Sequence, residues 1–337
     1  LEQNLTFIPD HFEIAFPSAP AMENNNTRFT YLSNDLNMSA WLKNLSVRIT
    51  AKGENNGTMT NYQIPRTQYF ANAVDITPTL ALPGGAHTST LPQAISEANL
   101  SFSAGTAQLD YADVRFNYDR NRSNPVDPFT VSGNDTNLTV AVKDHTDTSV
   151  EGNETTRFDG SATFYYGRVR TEDLKTQQKQ IKGKVLFEVY STSPIAGFTQ
   201  QSSSWYQNAY DDISTLQSGD FEPRAKRSRS SDDLSALAAL SNLSGPSAGK
   251  TVFDIDYSGS GERRIIWHLD TPSWLWTSRF RDYSFDASSG CGEHPCFETL
   301  FQSQISPSGI RSGSFSGSRF EADMNSSIKK RAIKVLR

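Results

Sequence analysis

Positive charge, cysteine and long apolar runs are scarce in this chain of 337 residues, and each shortage excludes something. No apolar run approaches the roughly 20 residues that a membrane-crossing helix needs, so no helical span is expected. Lys and Arg number 32 against 37 Asp and Glu, a net charge of -5, whereas a dedicated nucleic-acid binder carries a basic excess. Nucleic acid is therefore not an expected partner. Charged residues make up only 20% of the chain, below the usual ~25%, and Asn, Ser and Thr fill the gap. The chain opens at Leu1 without a Met or a signal peptide, so a processed or trimmed piece of something longer is expected. Aromatic residues, by contrast, are plentiful: 20 Phe, 12 Tyr and 5 Trp supply sizeable cores and exclude global disorder. The length suits two domains.

The two cysteines sit close together in Gly290-Cys-Gly-Glu-His-Pro-Cys296. A Cys291–Cys296 disulfide would close a tight loop worth about 2 kcal/mol by loop entropy. The alternatives are free thiols, or a metal taking His294 and Glu293 as further ligands. A structural zinc site often uses two spaced ligand pairs, and no second pair exists. The expectation is a disulfide and an oxidising compartment, with no metal.

Asparagine gives the sharpest signal. Asn-x-Ser/Thr occurs at Asn4, Asn25, Asn37, Asn44, Asn56, Asn99, Asn121, Asn134, Asn137, Asn153, Asn242 and Asn325. An Asn/Ser/Thr-rich chain makes some such triplets by accident. The residue two places earlier separates accident from signal. It is Glu2, Glu23, Asp35, Glu54, Glu97, Asp119, Asp135, Glu151 and Asp323 for Asn4, Asn25, Asn37, Asn56, Asn99, Asn121, Asn137, Asn153 and Asn325. With 37 acids in 337 residues, chance supplies about one such case in twelve triplets. Only Asn44, Asn134 and Asn242 lack the acid. The pattern resembles the extended acceptor sequence of epsilonproteobacterial N-glycosylation, in which modification occurs in the periplasm. The resemblance implies a bacterial, exported glycoprotein with sugar on a subset of the nine acid-preceded sites.

Short strands dominate the coarse reading. Residues 45–51, 109–118 and 137–143 alternate or run apolar in the first part, between Asn/Gly/Pro turns such as Gly53–Gly57 and Leu82–Gly85. In the second part, residues 161–170 and 183–190 each read as one strand. Residues 251–257 and 263–269 flank a Ser/Gly turn as a hairpin would, and 330–336 reads as a last strand. A cap at Ser230–Asp233 and Leu spacing over 234–243 predict one short helix near 232–243, stopped by Gly245-Pro246. The fold expected is all-β: two β-sandwich domains, Ig-like or jelly-roll-like, over 1–152 and 153–337, the second carrying the disulfide loop.

Several motifs tempt. Ser244–Thr251 echoes a phosphate loop, and Gly245-x-Ser247-x-Gly249 a nucleophile elbow, but both need a strand before and a helix after. The expected context is a helix followed by a strand, so each reads as a turn. Asp254-x-Asp256 begins like a calcium loop, yet its twelfth position is Ile265, and a solvated strand face is expected. Arg224, Lys226, Arg227 and Arg229 form a basic loop beside Asp232 and Asp233. Trp267, Trp274 and Trp276 read first as core, with a sugar-stacking platform as the alternative. No acid, base and nucleophile assemble in supported roles, so no catalytic residue and no cofactor is expected.

Phe7-Ile-Pro-Asp-His-Phe12, Ile49-Thr-Ala51 with Asn61-Tyr62, Tyr166-Gly-Arg168 and Trp274-Leu275 follow one another along the chain. Together they resemble the C-terminal module of large exported bacterial proteins related to MshQ, linked to biogenesis of the MSHA type IV pilus. The Gly290–Cys296 loop and the closing Val335-Leu-Arg337 resemble an epsilonproteobacterial branch. Tyr210-Asp-Asp-Ile-Ser214 keeps the acidic pair of that module, but no Cys follows it. The resemblance implies a non-catalytic structural or adhesive module at the outer cell surface, exported through the periplasm, with pilus or other surface proteins and possibly glycans as partners. The alternative is a glycan-binding, lectin-like module. Protein contacts are expected on the second domain, which carries only Asn153, Asn242 and Asn325.

Overall fold

The computed structural model describes residues 8–35, 37–62, 74–80, 95–97, 101–121, 124–144, 147–225, 234–276 and 294–302. Among the described residues, eleven strands precede Tyr166: β1 (His11–Ala15), β2 (Ala21–Glu23), β3 (Thr30–Tyr31), β4 (Ala40–Lys52), β5 (Val74–Leu80), β6 (Ile95–Glu97), β7 (Thr106–Phe116), β8 (Phe129–Ser132), β9 (Leu138–Asp144), β10 (Glu151–Thr156) and β11 (Asp159–Tyr165). Ten follow it: β12 (Gly167–Thr171), β13 (Leu174–Thr176), β14 (Gln180–Tyr190), β15 (Thr199–Ser202), β16 (Trp205–Gln207), β17 (Phe221–Ala225), β18 (Ala238–Ser241), β19 (Lys250–Tyr257), β20 (Arg263–Leu269) and β21 (Cys296–Phe301). The all-β class is the one the sequence predicts.

Two sheets face each other in each half. In the first, β1, β2, β3, β4, β7, β8 and β11 form one sheet and β5, β6, β9 and β10 the other. Ile14, Leu42, Val47 and Phe164 from one sheet meet Val74, Ile76, Val140 and Val142 from the other. In the second, β12, β14, β15, β16, β18 and β19 face β13, β17, β20 and β21. Val185, Phe187, Phe253 and Ile255 meet Ile265, Trp267, Phe297 and Phe301 there. This is sandwich packing, with alternate side chains of every strand pointing inward.

Strand β4 shows how one residue sets a face. Ala40 and Leu42 are buried, and then Leu45, Val47, Ile49 and Ala51 are. The phase slips at Asn44, whose φ of 56° lies in the left-handed region that Asn tolerates better than most residues. Both halves of the strand thereby bury their apolar residues, and Trp41 and Lys43 are left on the outer side at half-burial.

Three local expectations change. Residues 161–170 are two strands, broken at Tyr166: β11 pairs with β2, β3 and β8, whereas β12 pairs with β14. The hairpin expected between 251–257 and 263–269 does not form. β19 pairs with β14 and β18, and β20 with β17 and β21, so the Ser258–Glu262 turn carries the chain from one sheet to the facing one. The helix is a single turn, α1 (Leu234–Leu237), and Ala238–Ser241 is strand, with Leu240 opposite Ile255. Pairing with β19 overrides the helical propensity of an Ala/Leu stretch. The strand expected over 330–336 and the turn at Leu82–Gly85 lie outside the described residues.

Candidate functional site

Of the nine acid-preceded acceptors, Asn4, Asn99 and Asn325 lie outside the described residues. Asn37, Asn56, Asn121, Asn137 and Asn153 are exposed and Asn25 is half-buried. Asn56 sits in a turn with φ 59°, closed by the Gly53 and Gly57 backbone groups at 2.9 Å. Asn153 is on β10, paired with Ala141 of β9, and so belongs to the first sandwich. Asn25 differs from the rest: its Nδ2 donates to the carbonyl oxygens of Asn37 and Ser39, each at 3.1 Å. Its upstream Glu23 pairs with Lys43 at 2.8 Å. The sites lacking the acid, Asn44, Asn134 and Asn242, are exposed too, and the Asn242 Nδ2 donates to Asp254 at 2.8 Å.

The two cores meet along a segment of the first thirty-eight residues. Phe29, Tyr31 and Met38 pack into the second core, while Leu32 packs into the first. The Tyr31 hydroxyl donates to Asp211 Oδ2 at 2.6 Å and accepts from Asn208 Nδ2 at 3.0 Å. Ser214 donates its hydroxyl to the same Asp211 oxygen at 2.7 Å and its backbone N–H to Oδ1 at 2.9 Å. Asp211 is 0% exposed. Burial pushes its carboxyl above the ordinary range, and these donated bonds pull the other way. Burial and the Asp211 charge together hold the Tyr31 phenol well above its ordinary value.

Tyr166-Gly-Arg168 lies at the same junction, and each residue has a task there. The buried Tyr166 ring belongs to the first core, with the Arg120 guanidinium 4.4 Å from its centroid. Gly167 lies against the Tyr31 ring: a Cβ there would stand 2.6 Å from Tyr31 Cδ1. Arg168 reaches Glu188 through Nε at 2.8 Å and Nη2 at 2.6 Å, and its guanidinium lies 3.6 Å from the Trp205 ring centroid. Arg170 meets the second Glu188 oxygen at 3.4 Å. Glu188 is 0% exposed, so its charge is sustained by these two arginines. Arg120 donates to the Gly167 carbonyl at 2.9 Å and to that of Trp276. A small cavity of about 160 Å³ lies beside it, lined by Ser33, Asn34, Asp35, Ser273 and Trp274.

The tempting motifs resolve locally. Ser247–Lys250 is a tight turn entering β19, with Ala248 at φ 50° and Gly249 at φ 73°. A strand precedes this segment and a strand follows it, which removes the context for a phosphate loop or a nucleophile elbow. Asp254 and Asp256 share the outer face of β19, on which Lys250 and Val252 are exposed, but Asp254 itself is 7% exposed and held by Asn242, while Asp256 accepts from Gln180 at 2.7 Å and from Ser241. Trp267 is 1% exposed and donates to Thr299 Oγ1 at 2.9 Å, so it is core and unavailable for sugar stacking. Trp276 donates to the Thr271 carbonyl at 2.7 Å. Arg224 is on β17, whereas Lys226, Arg227 and Arg229 lie outside the described residues.

Cys296 opens β21, and there is no free cysteine among the described residues. Its expected partner Cys291 lies outside them. His294 beside it is 3.3 Å from Asp270, and its ring lies 4.7 Å from those of His268 and Trp276. No cluster of three metal-binding side chains is present among the described residues. Nor, among them, is any helix long and apolar enough to cross a membrane. Sequence reasoning missed Tyr31 and Glu188. Two landmarks pointed to the junction they build: Tyr166-Gly-Arg168, and Tyr210–Ser214, which supplies Asp211 and Ser214.

Residues 6–167 match the family described as DUF6701, third domain. That match ends at Gly167, where the core changes. No curated protein matches the chain. Among solved structures it is similar to the Escherichia coli adhesin FdeC, at 7% identity and a TM-score of 0.26, covering 87% of this chain and 65% of that one. It is similar also to invasin, a bacterial integrin-binding protein, at 10% identity and a TM-score of 0.22, covering 87% and 39%. A third is domains 4 and 5 of the S-layer protein SbsC, at 9% identity and a TM-score of 0.21, covering 88% and 100%. The chain thus spans about two thirds of the FdeC structure and 39% of the invasin one. Likeness this slight assigns neither partner nor ligand.

Proposed function

We propose that this chain is a non-catalytic, N-glycosylated structural or adhesive module of an exported bacterial surface protein, working outside the cell and meeting pilus or other surface proteins. The observation that carries the reading is the acid two residues before nine acceptor asparagines, five of which present exposed side chains in the folded protein. Exposure is what a bulky, hydrated glycan requires. The finer placement among MshQ-related proteins of epsilonproteobacterial type rests on the same acids and on the landmark residues. The division between the two units falls at Gly167 in this reading, because the core changes there and the family match ends there. The Cys291–Cys296 bridge is part of the proposal. Labelling of the unfolded, unreduced protein is expected to find no thiol, and two labelled thiols would sink the bridge.

Glycopeptide mass spectrometry on the native protein tests the main reading. Sugar is expected on Asn37, Asn56, Asn121, Asn137 and Asn153 and not on Asn44, Asn134 or Asn242. Occupancy that ignores the upstream acid overturns it.

A further inference from the structure

One groove on the first sandwich is walled by the Glu23–Thr27 acceptor segment, whose Asn25 amide nitrogen is already tied to two backbone carbonyls. It has a volume of about 590 Å³ and is lined by Glu23, Asn24, Asn25, Asn26, Thr27, Trp41, Lys43 and Ser161, with Met22 and Gly160 among them. That is within the roughly 300–1,000 Å³ of small-molecule sites.

Its wall arises from topology. β2 leaves β11 after Gly160, and β3 rejoins it at Phe164, so residues 24–29 bow outward between the two pairings. Three successive asparagines brace that bow, each with one end of its amide. Asn24 Oδ1 accepts the Thr163 N–H at 2.8 Å. Asn25 Nδ2 donates to the carbonyls of Asn37 and Ser39. Asn26 Oδ1 accepts the N–H groups of Arg28 and Phe29, each at 2.8 Å. The backbone partners fix which end is which, because an N–H needs the amide oxygen and a carbonyl needs the amide nitrogen. The other ends are Asn24 Nδ2, Asn25 Oδ1 and Asn26 Nδ2, two donors and one acceptor on a rigid wall. Thr27 and Ser161 add hydroxyls, and the Glu23–Lys43 pair adds a charge of each sign, leaving the groove with no net charge. Trp41 supplies the one large aromatic surface. Its indole is half-buried and steadied by the Arg115 guanidinium 4.9 Å from the ring centroid.

We propose that this groove binds a neutral oligosaccharide of one to three sugar units. A pyranose carries a ring of hydroxyls that both donate and accept, and an apolar C–H face. The asparagine wall and the two hydroxyls match the first, and the indole matches the second. The inference requires Asn25 to be unmodified, as its bonds to the Asn37 and Ser39 carbonyls favour, and does not depend on sugar at the other acceptors. The sugar has two possible sources: glycans on a second copy of this chain, or free glycans from other cells.

The test uses the full chain produced without any glycosyltransferase, titrated in one arm with glycopeptides released from the native protein. In the other arm it is titrated with a panel of free neutral di- and trisaccharides. The Trp41 indole N–H resonance, identified by its loss in Trp41→Ala, reports occupancy. Saturable binding that shifts this resonance is expected in at least one arm, and the responding arm names the source. Trp41→Ala and Ser161→Arg should each weaken binding about tenfold or more, the second by filling the groove from an exposed strand position whose replacement leaves the melting curve unchanged. No saturable binding in either arm, no shift of the Trp41 resonance, or binding that survives Ser161→Arg overturns the proposal.

Discussion

The first sandwich carries all six acid-preceded acceptors that the structure describes, and the second carries a buried carboxylate set between two arginines. Asn25, Asn37, Asn56, Asn121, Asn137 and Asn153 belong to strands and loops of the first. In the second, Asn242 lacks the acid and gives its amide to Asp254. The interiors differ as well. Phe116, Tyr118, Phe129 and Phe164 pack edge-on or stacked in the first core, at centroid distances of 4.8–6.3 Å. The second holds Glu188 between Arg168 and Arg170, and Asp211 under Tyr31. Each half buries one carboxylate under a tyrosine, Asp144 under Tyr62 in the first and Asp211 under Tyr31 in the second. The second adds Glu188 between two arginines, and its described surface is free of acid-preceded acceptors.

Breaking the buried charge has the largest expected effect. Glu188→Ala strands two arginines and should cost about 3–5 kcal/mol. Chemical denaturation should show the loss in the transition of the second sandwich. A loss below about 1 kcal/mol would mean that solvent already screens the cluster. Gly167→Ala places a Cβ against the Tyr31 ring and should cost about 1–3 kcal/mol, because the ring is held by packing on both sides. Tyr31→Phe removes one donor from Asp211 and should cost about 1–3 kcal/mol. Since Tyr31 joins the halves, its loss should also separate their unfolding transitions. A single unchanged transition counts against the junction.

A pH series sharpens the comparison with a smaller effect. Burial raises Asp211 above 3.8, so the folded state holds this proton more tightly than the unfolded chain does. That contribution is complete below 3.8 and is lost as pH rises through the folded value. Wild type should therefore gain stability relative to Asp211→Asn as pH falls toward 3.8. A gain in the opposite direction would show that the bonds from Tyr31 and Ser214 outweigh burial. The smallest effect is at the surface. Asn121→Gln should remove a glycan from native material and change stability by no more than about 0.5 kcal/mol.

Much of the strand content was legible, because alternation writes a buried face into the sequence. Residues 45–51 and 183–190 are within observed strands, and 137–143 is so from Leu138 onward. The break at Tyr166 was not legible. Ala162, Phe164 and Tyr166 face the first core and Val169 the second, and the lone Gly167 between them reads as well inside one strand as at a break. The Ser258–Glu262 turn was legible as a turn, but turn chemistry does not say which sheet receives the next strand. Tyr31 and Asp211 are 180 residues apart, and nothing in the neighbourhood of either announces the other. The groove escaped for the same reason: an Asn-rich triplet reads as loop, and Trp41 and Ser161 join it only through the pairing of β2 with β4 and β11.

The straddling segment from Phe29 to Met38 also sets an order of events. A chain emerging from its N-terminus presents Phe29, Tyr31 and Met38 long before their pocket exists, since that pocket is completed by residues from Val169 to Phe301. Contacts this distant in sequence form late and slowly. Until they do, three large apolar side chains remain uncovered and invite a holding chaperone. The Asn25 amide closes earlier, since its partners, the carbonyls of Asn37 and Ser39, lie 12 and 14 residues away in the same half. An enzyme that modifies this asparagine would have to act before those bonds form, while the three side chains beside it still wait for their pocket.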